Sequence, residues 1–226
     1  MILHFIIGSC FGSFFCLIAQ RLPVNESILS PCSHCNHCQK RLVWYELIPL
    51  FSILWQKFHC RYCHCKLSIS YFLAEMLCGA LFSWHFYFYP WEFLPLFWIS
   101  TAFLLSLMDI FYLLIDSLLL YLFWGILWLS WLLTASFHWE SVILVVFVMG
   151  LLLAFVPRSL GTGDCLLLIC WSGGLSFASL AQLLFIASLL GVTFFILYYL
   201  RYQKQLVQLP FIPFLTMGLI IVLSSP

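Results

Sequence analysis

Two groups of side chains in this sequence have the types and spacing to do chemistry. The first is six cysteines in two clusters, "CSHCNHC" (Cys32, Cys35, Cys38) and "CRYCHC" (Cys60, Cys63, Cys65). A C-x-x-C turn brings two thiolates together, and two such turns separated by about 20 residues complete the tetrahedral donor set of a zinc knuckle or ribbon. The symmetric pairs Cys35/Cys38 and Cys60/Cys63 are the first choice as ligands, with Cys32, Cys65, His34, His37, His59 and His64 as alternative donors. The competing reading is a set of free thiols, or disulfides in an oxidising compartment. The other five cysteines (Cys10, Cys16, Cys78, Cys165, Cys170) lie in or beside apolar runs and read as small packing residues.

The second group is carboxylates in apolar surroundings: Glu75, Asp109, Asp116 and Asp164. Asp109 closes one apolar run in "SLMDIFYLLID" and Asp164 opens another in "GTGDCLLL". An ionisable group at the edge of hydrocarbon is costly unless something compensates it. Two carboxylates brought together in a partly dehydrated site share one proton. One then acts as a base toward water and the other as an acid toward a carbonyl, which is the chemistry of aspartyl proteolysis. Gly161 and Gly163 are expected to let the backbone turn sharply and a substrate strand approach closely. The plain alternative for Asp164 is a helix N-cap. Asp116 follows Asp109 by seven residues. On one continuous helix they would lie about 10 Å apart, too far to form a dyad with each other. Asp116 is therefore the runner-up for the first acid. Glu75 reads as a buried hydrogen-bonding residue or a group supporting the site.

The elements that must position these groups are apolar. Hydrophobic residues make up 65% of the chain and charged residues 8%, where a soluble domain has roughly a quarter charged. The expected fold is an all-α polytopic membrane protein. The net charge of +1 gives no global field for nucleic acid, which is excluded as a partner. Apolar windows fall near 2–20, 69–88, 92–109, 117–135, 141–156, 164–178, 181–200 and 209–224, about eight spans. The opening residues lack the basic segment and cleavage site of a signal peptide. Residues 1–20 therefore read as a first transmembrane helix, 21–68 as a Cys-rich cytoplasmic loop domain, and 69–226 as a membrane core of about seven helices. With the N-terminus outside, all nine basic residues (Arg21, Lys40, Arg41, Lys57, Arg61, Lys66, Arg158, Arg201, Lys204) fall on the cytoplasmic side. Shifting the count by one span would scatter them. Within the loop, "LVWYELIPLFSILW" (42–55) is aromatic-rich, amphipathic and broken at Pro49. It is expected to pack on membrane lipid or on a small core of the loop itself. A loop of this size has little core of its own, so a metal would staple it. No internal repeat is evident.

Several motifs, in order, resemble the type IV prepilin leader peptidases, GxGD-type aspartic membrane peptidases. "GSFFCLIAQRLP" (12–23) resembles the family's opening segment, with Cys16 where Asn is usual. "CNHCQKRLVWYELIPLFSIL" (35–54) resembles its C-x-x-C…W-Y-D-L-I-P-L segment, with Glu46 in place of Asp. "CRYCHCKLSISYFLAEML" (60–77) resembles the second cysteine pair followed by a Glu-bearing span. "SLMDIFYLLID" and "GTGDCLLL" resemble the two catalytic Asp segments. The family's Pro before the Asp near 116 is absent, and Leu166 stands where Lys is usual.

The resemblance implies catalytic Asp109 and Asp164, an active-site loop at Gly161 and Gly163, and metal ligands Cys35, Cys38, Cys60 and Cys63, leaving Cys32 and Cys65 as extras. It implies an enzyme of the bacterial cytoplasmic membrane, similar to the Gram-positive competence-type members. Its substrates would be prepilin or pseudopilin precursors, whose short basic leader it cleaves after a Gly at the cytoplasmic face. N-methylation of the new terminus with S-adenosylmethionine is implied as well. Three other readings compete. A presenilin-like protease would carry a later Pro-Ala-Leu, which does not occur here. A zinc-stapled scaffold or ion-path subunit would use the acids as a proton path. An acyltransferase would need a nucleophilic Cys beside a His-bearing motif.

Overall fold

The computed structural model describes residues 1–30, 32–35, 37–155, 161–203 and 208–224. Arg158 and Lys204, two of the residues used for the charge argument, lie outside the described residues. Each apolar window becomes a helix: α1 (Ile2–Arg21), α3 (Ile69–Phe88), α4 (Phe93–Tyr112), α5 (Ser117–Leu133), α6 (Trp139–Phe155), α7 (Thr162–Ser172), α8 (Phe177–Tyr202) and α9 (Ile212–Ser224). A short α2 (Phe51–Trp55) lies in the loop. The described residues contain no strand, only two isolated bridges. Ile2–Val24, Phe93–Tyr112 and Phe177–Tyr202 are long and apolar enough to cross a membrane, and α5, α6, α7 and α9 are shorter apolar helices.

The starts of these helices are written in side chains. Ser68 accepts the Ser70 N–H at the head of α3, Asp116 accepts the Leu119 N–H at the head of α5, and Ser176 accepts the Ser179 N–H at the head of α8. Each satisfies a donor that a helix leaves open at its N-terminus. Helix α7 is shorter than its apolar window because it stops at Gly173–Gly174. Added Cβ atoms there would lie 2.9 Å from Phe137 and 2.3 Å from Trp131, so the two glycines make room for aromatic rings.

The chain forms two compact units, Met1–Leu96 and Phe97–Pro226. In the first, α1 and α3 pack closely through glycines. A Cβ on Gly8 would meet the Cys78 carbonyl at 2.7 Å, one on Gly12 the Ala74 carbonyl at 2.8 Å, and one on Gly79 the Ser9 hydroxyl at 2.6 Å. Gly8 and Gly12 form a G-x-x-x-G face, the spacing that lets membrane helices approach backbone to backbone. In the second unit, Trp98 of α4 packs its ring edge-on to Trp131 of α5 and Trp171 of α7, at 4.8 and 6.3 Å between centroids. Thr216 of α9 pairs with Ser106 of α4 at 2.6 Å and donates to the Ala102 carbonyl at 3.2 Å. Ala102, Ser106 and Asp109 share one face of α4, and α9 lies along it.

The loop corrects the expectation that the sequence has no internal repeat. Cys35 donates its N–H to the Lys40 carbonyl and accepts from Gln39 N–H. Cys60 does the same with Cys65 and His64. Gln39 and His64 both have positive φ, 57° and 54°, and the bridges His34–Arg41 and His59–Lys66 close the two turns. The two knuckles are copies of one another at an offset of 25 residues. The expected break at Pro49 is present: a 3-10 turn, Trp44–Leu47, precedes it and α2 follows. The aromatic run faces outward, however. Trp44, Phe51, Leu54 and Trp55 are exposed, while Glu46, Ser52 and Ile53 are buried.

Candidate active site and metal centre

In the second unit, the end of α4 and the starts of α7 and α9 converge on two carboxylates. Asp109 is 7% exposed and its Oδ2 accepts the backbone N–H of Ile212, the first residue of α9, at 3.0 Å. A carboxylate at an open helix N-terminus is favoured by both the free N–H groups and the dipole. Asp164 sits in the first turn of α7, half-buried. It is not the N-cap: that position is Gly161, which makes no side-chain capping bond. Asp164 lies within electrostatic reach of Asp109.

The glycines around Asp164 serve a different purpose from the sharp turn expected of them. No described glycine has positive φ. Instead, a Cβ on Gly163 would lie 2.7 Å from Ile115 Cδ1, and one on Gly161 would lie 3.2 Å from Asp164 Oδ2. Gly163 lets the segment before α5 close over the head of α7. Gly161 leaves room for the Asp164 carboxylate to fold back toward its own helix start. Asp116 is occupied elsewhere. The chain leaves α4 at Tyr112 and turns through Leu113 at φ 54°. Asp116 then caps α5 by accepting Leu119 N–H at 2.9 Å.

In the first unit, Cys35, Cys38, Cys60 and Cys63 bring their sulfurs within 4.8 Å of one another, a cluster that could hold a metal ion. Cys35 and Cys63 are 3.8 Å apart, the edge of a tetrahedron whose metal–sulfur bonds are about 2.3 Å. Burial opposes ionisation of Cys35, but the backbone N–H groups of Cys38 and His37 and the thiols of Cys60 and Cys65 outweigh it and bring the sulfur down to about 6. At Cys38 and Cys63 a backbone hydrogen bond favours the thiolate, from Lys40 and Cys65 respectively. Crowding by neighbouring thiols together with burial outweighs it and pushes both up to about 11. The cluster thus favours one thiolate, and a divalent cation is what would let all four ionise. The donor set fits a soft tetrahedral ion.

Cys65 is not remote from this cluster: its sulfur lies 3.7 Å from Cys35 and 3.2 Å from Cys63. The pseudo-symmetry accounts for it. Cys65 occupies the place that Lys40 has in the first knuckle. Lys40 reaches across to the ring of Tyr62 at 4.6 Å, and Cys65 makes the equivalent approach to His37.

Two buried acids tie the loop down. Glu75 of α3 accepts the Leu50 N–H at 2.7 Å and a hydrogen bond from Ser13. It is thus a hydrogen-bonding anchor beside Pro49, which the motif reading left undecided. Glu46 is 6% exposed. Its Oε2 accepts the Val43 N–H at 2.9 Å, while its Oε1 is buried with no partner. Sequence reasoning noted Glu46 only as a departure from a motif; a carboxylate inside an aromatic run was the available signal.

The fold and these two sites define a polytopic helical membrane protein with a cysteine-knuckle loop and a pair of facing acids. Comparisons with known proteins narrow this further. The model of the bacterial Peptidase A24 N-terminal domain matches residues 6–89. Three relatives named prepilin leader peptidase/N-methyltransferase are similar to the chain. One from Myxococcus xanthus is 44% identical over 78 residues, 34% of this chain and 23% of that protein. One from Bacillus subtilis is 39% identical over 79 residues, 35% of this chain and 32% of that protein. One from Neisseria gonorrhoeae is 30% identical over 226 residues, 83% of this chain and 78% of that protein. No solved structure matches the chain. The chain belongs to the prepilin leader peptidase/N-methyltransferase family.

Proposed function

We propose that this protein is an aspartic endopeptidase of the bacterial cytoplasmic membrane, with its N-terminus outside and the 21–68 loop cytoplasmic. It removes the short basic leader of prepilin-like precursors after a Gly and then N-methylates the new terminus. The observation that carries the reading is the convergence of Asp109 and Asp164, from helix ends 55 residues apart in sequence, in one electrostatically coupled, partly dehydrated site. With one proton between them, the ionised carboxylate takes a proton from water as the water oxygen bonds to the scissile carbonyl carbon. The protonated carboxylate gives its proton to the carbonyl oxygen. Collapse of the resulting diol breaks the C–N bond, and the departing amine nitrogen takes up a proton. Burial of Asp109 and its hold on α9 keep one acid fixed while Asp164 is free to move toward substrate.

The cation of the cysteine knuckles is zinc, held by Cys35, Cys38, Cys60 and Cys63, and its role is to staple a loop that buries few apolar side chains. The methyl-transfer half of the reading rests on the names of the relatives. S-adenosylmethionine would supply an electrophilic methyl group, so that the new amine forms its N–C bond as the C–S bond breaks, the electron pair leaves with the thioether, and the ammonium proton passes to water.

The test is cleavage of a co-expressed pilin-like precursor by the wild type and by Asp109→Asn, Asp116→Asn and Asp164→Asn, with membrane levels followed by blot. Loss at Asp109 and Asp164 alone is expected. Full processing by the Asp164 variant would remove the peptidase reading and leave a zinc-stapled scaffold or ion-path subunit.

A further inference from the structure

The loop has a cavity that the peptidase chemistry does not use. It has a volume of about 530 Å³, within the range of small-molecule sites. Its walls include Tyr45, Glu46, Phe51, Trp55, Arg61 and His64. Three features give it a chemical preference. Phe51 and Trp55 stack at 5.6 Å between centroids and stand exposed at 58% and 77%, an aromatic wall open to an incoming ring or cation. Glu46 contributes a buried oxygen, Oε1, with no hydrogen-bond partner. An unsatisfied buried acceptor is costly, and a ligand bringing hydroxyl or ammonium donors would satisfy it. Arg61 is fixed over the Tyr45 ring, its Nη1 donating to the Tyr45 hydroxyl. That places a guanidinium fork on the same wall.

We propose that this cavity is the S-adenosylmethionine site of the protein, an inference that rests on the methyl-transfer reading above. The match is in the arrangement of charge. S-adenosylmethionine carries a flat adenine, a sulfonium and an ammonium, two ribose hydroxyls and one carboxylate. An aromatic wall takes the adenine by stacking and the sulfonium by cation–π attraction. Glu46 Oε1 takes hydroxyl or ammonium donors, and Arg61 takes the carboxylate. Cys60 lies in the cavity wall, so the metal staple also shapes the pocket. The Glu46 side chain is held by its other oxygen on Val43 N–H at 2.9 Å, which presets the free oxygen.

The experiment is ultraviolet cross-linking of methyl-labelled S-adenosylmethionine to the full-length protein in detergent, with peptide mapping. Cleaved product is assayed in parallel for an added methyl group by mass spectrometry. The label should map to residues 42–64. Glu46→Gln and Trp55→Ala should each reduce labelling by about tenfold or more, the loss of one charge-assisted hydrogen bond or one cation–π contact. Trp44→Ala removes an exposed aromatic that does not line this cavity, and it should label like the wild type. Metal content and melting temperature would show that each variant is folded. A label elsewhere, or full labelling of Glu46→Gln and Trp55→Ala while product is still methylated, would overturn the cavity assignment and leave methyl transfer standing. No labelling together with unmethylated product would overturn both. A blue shift of Trp55 emission on anionic vesicles that blocks labelling would reassign the aromatic wall to lipid.

Discussion

The cysteine loop and the acid-bearing helices are built on opposite plans. Each knuckle is closed within six residues, by Cys35 to Lys40 and by Cys60 to Cys65. Its geometry is local, and what it lacks is anything apolar to pack on. The acid site has the reverse character. Asp109 meets its partner Ile212 across 103 residues of chain, and Asp164 reaches the same place from a third helix. Apolar packing is abundant there, and position depends on it. Local sites are legible from spacing and need a metal for stability, whereas the distant site needs no metal but is assembled only when the helices pack.

The largest effects should separate the two acids themselves. Asp164 has a catalytic assignment and no printed structural bond, so Asp164→Asn should lower cleavage by about a thousandfold and leave the melting temperature where it was. Asp109 also holds the head of α9. Asp109→Ala should abolish cleavage and in addition cost about 1.5–3 kcal/mol of stability, the loss of a hydrogen bond to a charged group. Equal destabilisation by the two variants, read as thermal shifts in one detergent, would contradict the contrast.

The loop should respond in the other currency. Cys60→Ser should weaken retention of the metal by about tenfold to a hundredfold or more, since replacing even an outer partner of a ligand has that effect. Metal per chain by elemental analysis, before and after a chelator challenge, reads this directly. Cys65→Ser should keep its metal, because pseudo-symmetry sets Cys65 opposite Lys40 and not opposite a ligand. Loss of metal from Cys65→Ser would mean that the second knuckle departs from the first.

How much of this was readable beforehand follows the same division. The apolar windows anticipated the eight long helices, because a run of apolar residues with a Ser or Asp at its head has few alternatives. The four clustered cysteines were visible because C-x-x-C is a local constraint. The repeat of the knuckles was equally visible, as "HC" at 34–35 and 59–60 with a third Cys three residues on, yet it passes unnoticed beside so many other Cys and His. The bond from Glu75 to Leu50 and the empty Glu46 oxygen were not readable, since both depend on how the segment around Pro49 folds back. The glycines of "GTGD" misled in detail: their freedom from a Cβ is used against Ile115 and Asp164, not for a left-handed turn.

Gly12 extends that lesson to the first unit. A side chain there would collide with the backbone of α3 at Ala74, 2.8 Å from the added Cβ. Gly12→Leu should therefore separate α1 from α3 at a cost of about 1–3 kcal/mol, seen as a lower melting temperature. Unchanged melting would mean that the helices slide past each other without loss, against the close-packed G-x-x-x-G face.

The smallest effect tests which carboxylate belongs to which plan. Asp116 lies seven residues from Asp109 and next to Ile115, which packs on Gly163, so proximity alone would make it a third member of the site. Its hydrogen bond says otherwise: Oδ1 accepts Leu119 N–H at 2.9 Å, a local cap of the same kind as those of Ser68 and Ser176. Asp116→Ala should then cost about 1 kcal/mol, the ordinary value of an N-cap. Asp116→Asn should recover most of that, because Asn caps nearly as well, and cleavage by the Asn variant should match the wild type. A thousandfold loss of cleavage in Asp116→Asn with unchanged melting would make Asp116 the first acid. Asp109 would then keep only its place at the head of α9.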